Sequence, residues 1–315
     1  MAFALANNEF LSTLTNLCLQ VMTFNNLQFK APFDVHRREF TKWGDKIACV
    51  NAWIKDGANY SKTATPFSAN EPDVTVLTIT TVLKKVYSLQ LAEPILQGAF
   101  EDENSLADFI QTLVSQLETK SEIDIYEQIV KDFATDKLLA ANGGNITETA
   151  AKKQISVDFS TKDKIQESFA KILETANKMK LPNNNYGNIY DTTAHKAKLT
   201  CAQNTRIILY LTPEANAKFN VFVHASLFNN DKMKVSDVID EIKVVDINTI
   251  SNSAVTGTTC GILLTEDAYR YSTRIKEMRN NPNGAAMSQN YWYHVWTNMG
   301  FTGAGQSCII QLPAA

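Results

Sequence analysis

The chain has 315 residues, of which 44% are apolar and 20% charged, with a formal net charge of −3. This composition excludes a disordered, collagen-like or disulfide-scaffold chain, and the length allows about two domains with a sizeable core. The mildly acidic balance argues against a free-standing nucleic-acid binder, which is usually basic.

In chain order, residues 1–30 carry Phe3, Leu5, Phe10, Leu11, Leu14, Leu17 and Val21 at partly helical spacing. They read as an arm or a short amphipathic helix that docks on something. The charges of residues 31–72 alternate in sign, which describes a solvated surface. Residues 47–54 read as one strand and 74–86, rich in Val, Thr, Leu and Ile, as a second. Pro66 and Pro72 mark a long loop between them. The two strands make an extended hairpin that buries little of its own surface, so it should pack on a neighbour.

Residues 101–140 are the clearest helical stretch. Glu101, Asp102 and Glu103 suit a helix start, and Leu106, Phe109, Ile110, Leu113 and Leu117 recur at helical spacing. Ile123, Tyr126, Ile129, Val130 and Phe133 continue the pattern past an expected break near Thr119, towards Asn142-Gly143-Gly144. A second helix is expected over 162–180, with Ile165, Phe169, Ile172, Leu173 and Ala176 on one face and Pro182 just beyond its end. Short elements then alternate: a buried strand over 206–211, a helix over 213–224, a short helix over 235–239, and strands over 242–247 and 261–264. A turn or short helix follows over 266–271, and a final strand over 308–312.

Chemistry is sparse. None of His36, His195, His224 and His294 forms a metal or catalytic pair, and each is expected to be structural. Cys18, Cys49, Cys201, Cys260 and Cys308 are too scattered for a metal knuckle, and they fit small buried hydrophobes in a reducing compartment. There is no signal peptide in the residues given, no apolar run long enough to cross a membrane, and no phosphate-binding or nucleophile-elbow motif. Gly300, Gly303 and Gly305 suit a tight turn, and the acids at 101–103 and at Asp240, Glu241 and Asp246 suit helix ends or solvated faces. The run Tyr291-Trp292-Tyr293-His294-Val295-Trp296 could stack bases, but its own neighbourhood in sequence lacks basic residues, so a core or interface face is the better reading. The strand form is favoured. It would put Tyr291, Tyr293 and Val295 on one side and Trp292, His294 and Trp296 on the other, with a tryptophan packed on the long helix.

Two motifs carry a resemblance. Glu277-Met278-Arg279-Asn280-Asn281-Pro282, followed by Asn290-Tyr291-Trp292-Tyr293-His294-Val295-Trp296, resembles the end of the major capsid proteins of small short-tailed phages of the picovirus, phi-29-like type. Upstream, residues 261–268, 226–229, 245–246 and 73–87 and the helix over 106–139 follow the order of that family. The resemblance implies an α+β chain of the Hong Kong 97-like phage capsid fold. Residues 1–40 would be an N-terminal arm and 41–92 the extended hairpin called the E-loop. Residues 93–165 and 265–315 would form a peripheral domain with its spine helix, and 166–264 an axial domain. It implies a structural subunit, not an enzyme, that self-assembles into an icosahedral phage head enclosing double-stranded DNA. An encapsulin-like nanocompartment shell is the alternative.

The implied partners are further copies of the chain in pentamers and hexamers, scaffolding and portal proteins, and packaged DNA held non-specifically on the inner face, with no membrane. The implied location is the virion capsid, assembled in the host cytoplasm. No cofactor or metal is expected. Met278, Arg279, Asn280, Asn290, Tyr291, Trp292, Tyr293, His294 and Trp296 are the candidate structural and assembly residues. Some members of the family carry a further immunoglobulin-like domain at the C-terminus. These 315 residues hold no such segment, so a fused head decoration is not expected, and nothing assigns a covalent crosslink.

Overall fold

A computed structural model describes residues 28–38, 46–53, 72–92, 103–134, 153–191, 196–227, 238–246, 259–285 and 287–312. Most of the expected arm, the hairpin loop and residues 235–237 lie outside them.

Strand β1 (Lys46–Trp53) pairs antiparallel with β2 (Asp73–Ala92), from Lys46 opposite Thr80 to Trp53 opposite Asp73. This is the expected hairpin. Its second strand runs further than the sequence indicated and, at about 3.3 Å per residue, measures roughly 65 Å. Strands β9 (Tyr269–Asn283) and β10 (Ser288–Phe301) extend it into a four-stranded sheet in the order β1-β2-β10-β9. The expected turn at 266–271 is a 3-10 turn over Glu266–Ala268 only, after which the chain is already strand. Pro282 sits near the end of β9, an edge strand, the place in a sheet where proline is tolerated.

Helix α1 (Glu103–Ala134) lies along this sheet. Near its start, Phe109, Ile110 and Leu113 meet Leu89, Leu91 and Tyr291; further on, Ile125, Ile129, Val130 and Phe133 meet Leu83, Tyr293, Val295 and Met299. The expected break near Thr119 does not occur. The hydroxyls around that position bond back into the helix, Ser115 to Thr112 O at 2.7 Å, Thr119 to Ser115 O at 3.1 Å and Ser121 to Glu118 O at 2.6 Å, so they need no interruption.

The second sheet has the order β3 (Gln154–Ser156), β11 (Ser307–Gln311), β8 (Thr259–Thr265), β6 (Ile207–Leu211) and β7 (Glu241–Val244). Strands β6, β8 and β11 are buried at every position. This explains why their sequences are apolar runs without alternation. On one side lie α2 (Lys162–Lys180) and α3 (Pro213–Leu227), with Phe169 and Phe219 4.0 Å apart between ring centroids. Helix α2 has the expected bounds. Its end is fixed by extended Leu181 before Pro182, and Asn183 Nδ2 donates to the Lys178 and Leu181 carbonyls at 2.9 Å each. Helix α3 starts with Pro213 at its first position, where the missing N–H is harmless. Residues 238–240 form a turn and extended chain leading into β7.

The two sheets share one core. Phe33, Phe133, Tyr210 and Tyr269 are fully buried together, and Phe33 lies 5.5 Å from Phe133 and 5.4 Å from Tyr210 between ring centroids. Residues 28–38 are therefore a strap held in the core, with Ala31, Phe33 and His36 buried and Arg38 N–H bonded to Tyr271 O at 2.9 Å. The turn from β10 to β11 needs glycine at 303 and 305. A Cβ there would strike Ile189 and Asn51, or the Ala268 backbone. A short hairpin of β4 (Tyr190–Asp191) and β5 (Lys196–Ala197) completes the described residues.

Candidate assembly face

The register of β9, β10 and β2 brings the candidate residues together. Asn290 lies opposite Asn281, Tyr291 opposite Asn280, Trp292 opposite Arg279 and Tyr293 opposite Met278. On the other side of β10, Tyr293 faces Tyr87, His294 faces Val86 and Trp296 faces Lys84. The two motifs are thus cross-strand neighbours, the unit by which sheets are stabilised.

The strand alternates as expected, but the side that meets the helix is the opposite of the one expected for the tryptophans. Tyr293 (2% exposed) and Val295 (1%) pack into the core with α1, whereas Trp292, His294 and Trp296 lie half-buried on the other side. The physical reason lies in the partners. Tyr293 and Val295 join Ile125, Ile129, Val130 and Phe133 of α1 in one core cluster, and neighbouring Tyr87 on β2 adds a hydrogen bond from its hydroxyl to Asp124 on that side. Trp296 instead sits between cations, with Lys84 Nζ at 5.2 Å and Arg274 Cζ at 5.8 Å from its ring. Both basic groups come from neighbouring strands, so the sequence around the aromatic run does not reveal them. Because they cover its ring, Trp296 is a poor platform for stacked bases.

The residues that sequence reasoning missed are Lys85, Tyr87 and Asp124. Lys85 Nζ is 2.9 Å from Asp124 Oδ2, Lys120 Nζ is 3.7 Å from Oδ1, and Tyr87 OH donates to Oδ2. Burial pushes the Tyr87 hydroxyl up, and the Asp124 carboxylate adds to that. Burial alone would raise Asp124, but the Tyr87 hydroxyl and Lys85 outweigh it and hold the carboxyl below its ordinary value. In sequence Asp124 stands among Lys120, Ser121, Glu127 and Gln128 at helical spacing, so nothing there marks it as a buried partner of β2.

A second feature belongs to the hairpin. Val50, Val74 and Val76 are 65%, 52% and 55% exposed; Val50 faces Val76, and Val74 faces Ala52. They form a stripe of uncovered apolar surface on one side of the hairpin. The Asp73 carboxylate pairs with Lys198, which ties this hairpin to the body.

Groups that could have suggested an active site are engaged elsewhere. Asp240 Oδ2 accepts the Ile207 N–H at 2.7 Å, and Glu241 pairs with Arg206 and Lys243. His36 is buried with Nδ1 3.1 Å from Glu266 O, and His294 is half-buried on the sheet. Cys260 and Cys308 are buried as expected, whereas Cys201 is exposed and Cys49 half-buried. Among the described residues no group of three acids, histidines or cysteines could hold a metal ion, and no helix is long and apolar enough to cross a membrane.

Comparison with known proteins places the chain in a family. Residues 1–310 match the family model of the Phi29-like phage major capsid protein. No curated protein matches the sequence. Among solved structures, the chain is similar to one in the capsid of Staphylococcus phage Andhra, with a TM-score of 0.68 at 10% identity over 94% of this chain and 88% of that one. It is also similar to a chain of the mature capsid of bacteriophage PhiM1, with a TM-score of 0.59 at 8% identity over 95% and 92%. A chain of the cyanophage P-SCSP1u capsid gives 0.54 at 9% identity over 95% and 92%. At these identities the likeness is one of fold.

Proposed function

We propose a route of assembly from one premise: the chain belongs to the Phi29-like phage major capsid protein family, and its work is to build the capsid of a phage particle from many copies of itself. The family match favours this over an encapsulin-like compartment. In the proposed division, residues 1–40 are the arm, 41–92 the E-loop, 93–165 and 265–315 the peripheral domain with α1 as its spine, and 166–264 the axial domain. Support for it comes from α1 lying along β2 and β10 and from the distinct cluster around α2 and α3. The five-stranded sheet takes β3 and β11 from the peripheral ranges, β6 and β7 from the axial range, and β8 from their junction. In this division it is the joint between the two domains.

The observation that carries the proposal is the uncovered valine stripe on the hairpin. Exposed contiguous apolar surface marks interaction sites. A copy that covers it makes a heterologous contact, the kind that closes into rings and tiles a shell. We place the chain in pentamers and hexamers of an icosahedral head, assembled in the host cytoplasm with scaffolding and portal proteins and enclosing double-stranded DNA. The role needs no catalysis and no cofactor. Electron microscopy of the purified chain, with scaffold supplied, is the test. Shells, tubes or sheets are expected; a chain that stays monomeric at high concentration overturns the proposal.

A further inference from the structure

We propose that Asn283 is a self-modification site, at which the Gly284 backbone nitrogen displaces the side-chain amide and the position ages from asparagine to aspartate or isoaspartate. The two residues stand where β9 turns towards β10, and both are exposed. Three features of the turn favour the reaction. First, glycine at 284 leaves the attacking nitrogen unhindered by a side chain, and a Cβ placed there would meet nothing within 4 Å beyond the adjoining residues. Second, the Ala285 N–H donates to Asn283 Oδ1 at 3.2 Å. That donor polarises the carbonyl under attack and stabilises the negative charge that collects on its oxygen. Third, Asn283 is the last residue of β9 and pairs with Ser288, the first of β10, so only one of its sides is held by the sheet.

The same segment supplies its own controls. Asn281 precedes Pro282, which has no backbone N–H to lose and so cannot close the ring. Asn280 precedes a residue with a side chain and lies inside the ladder opposite Tyr291. Of the three asparagines in the run Asn280-Asn281-Pro282-Asn283, only the last has both the nucleophile and the freedom to use it.

The step balances without oxidant or cofactor. The Gly284 nitrogen gives its proton to water or hydroxide and forms a bond to Asn283 Cγ. The Cγ–Nδ2 bond breaks, and the amide nitrogen takes a proton from water and leaves as ammonia. Water then opens the cyclic imide at either carbonyl, leaving a carboxylate. Each event adds one negative charge to the tip of the β9–β10 hairpin, and the isoaspartyl product also lengthens the main chain beside the Ser288 pair. Asparagine is a recognised thermolabile residue; here the turn selects one.

The experiment incubates the folded full-length chain in mildly alkaline buffer and follows the segment released by cleavage after Arg279 by tandem mass spectrometry with isoaspartate detection. Conversion is expected at Asn283 and not at Asn280 or Asn281. Gly284→Ala should slow it severalfold with an unchanged circular dichroism spectrum, because the open surroundings accept a Cβ. Asn283→Ser should abolish it. An amide that persists at 283 in the folded chain, while a free peptide of the same sequence converts, overturns the proposal. So does an unchanged rate in Gly284→Ala, or conversion centred on Asn280.

Discussion

The Tyr87 hydroxyl donates a hydrogen bond to the buried carboxylate of Asp124, joining the long strand β2 to helix α1 across 37 residues of sequence. Lys85, two residues along the same strand, adds an ion pair to the same oxygen at 2.9 Å. The contact fixes the register of β2 against α1, a job that apolar packing alone does loosely because valines and leucines can slide.

Removing the acceptor should therefore cost more than removing one donor. Asp124→Ala leaves a buried hydroxyl and a cation without their partner, and a hydrogen bond to a charged group contributes about 1.5–3 kcal/mol. Tyr87→Phe should cost less, since Lys85 still satisfies the carboxylate. Denaturant unfolding of both single variants and the double variant gives the coupling directly. Independent, additive effects would mean the contact does not hold the strand. Because the carboxyl is held below its ordinary value, this contribution is present above the usual carboxylate range and is lost as pH falls through the lowered value.

A second pH dependence comes from the strap. His36 is fully buried, with its ring 5.9 Å from that of Tyr210 and 6.2 Å from that of Tyr269. Burial lowers it to about 4, and Arg270 and Lys243 act in the same direction. The folded chain then resists a proton that the unfolded chain binds from about pH 6.5 downwards. Stability should fall between about pH 6.5 and 4, by about 3 kcal/mol in all. His36→Asn keeps an N–H for the Glu266 carbonyl but cannot titrate. Its unfolding free energy should lack that slope, and a slope equal to the wild type's would exclude His36 as the cause.

How far the sequence could be read depends on which force shapes each element. Helix α2 was legible to the residue because Phe169, Ile172, Leu173 and Ala176 lie on one stripe and Pro182 stops the chain. The hairpin was legible from its β-branched runs. Strand β9 was not: its first half does alternate, with Tyr269, Tyr271 and Ile275 against Arg270, Arg274 and Lys276, but its end at Asn280-Asn281-Pro282-Asn283 is polar and is held only by its neighbour β10. The Tyr291–Trp296 strand and its two faces followed from parity. The side that meets α1 did not, because parity separates the two faces without saying which one another element covers. The Trp296 cations were hidden for the same reason, since they sit on β2 and β9.

Lys153 carries a pH dependence of the same sign into the alkaline range. Its side chain is fully buried, Nζ reaches Asn188 Oδ1 at 3.5 Å, and burial lowers it to about 7. Above pH 7 the unfolded chain holds a proton that the folded chain has lost, so stability should rise with pH from about 7 to about 10.5. Lys153→Met removes the penalty. The variant should be more stable at pH 7 by about 2–4 kcal/mol, with a flatter profile above it. Asn188 Oδ1 keeps the Ser307 hydroxyl at 2.7 Å, so no acceptor is orphaned. Thermal unfolding at pH 7 and 9 is the measurement; a destabilised variant would show that the ammonium is needed in place.

Tyr293 and Trp296 should part company under truncation. Tyr293→Ala opens the core beneath α1 and should cost about 3–5 kcal/mol, the range for large buried aromatics. Trp296→Ala removes a half-buried ring and two cation–π contacts, which are worth about 0.5–2 kcal/mol each, so its cost should be smaller. Melting curves of the unassembled subunit order the two. If Trp296→Ala leaves stability unchanged yet abolishes binding to single-stranded DNA, the face is a stacking site and its structural assignment is wrong.

The valine stripe separates folding from assembly. Val50, Val74 and Val76 are more than half exposed, so each contributes little to the subunit's own core. Surface substitutions away from core and caps usually change stability by less than about 0.5 kcal/mol. Val76→Asp should therefore leave the circular dichroism spectrum and the melting temperature close to those of the wild type. In the assembled shell the same change would bury an unpaired carboxylate under a neighbouring copy, which is strongly unfavourable. Sedimentation should show subunits or small oligomers where the wild type forms shells. Val50→Asp, opposite it on β1, should behave alike, and Val86→Asp, exposed on β2 beyond the paired hairpin, separates this stripe from a general effect of charge. Full assembly of Val76→Asp and Val50→Asp would mean that the hairpin reaches its neighbour by another face.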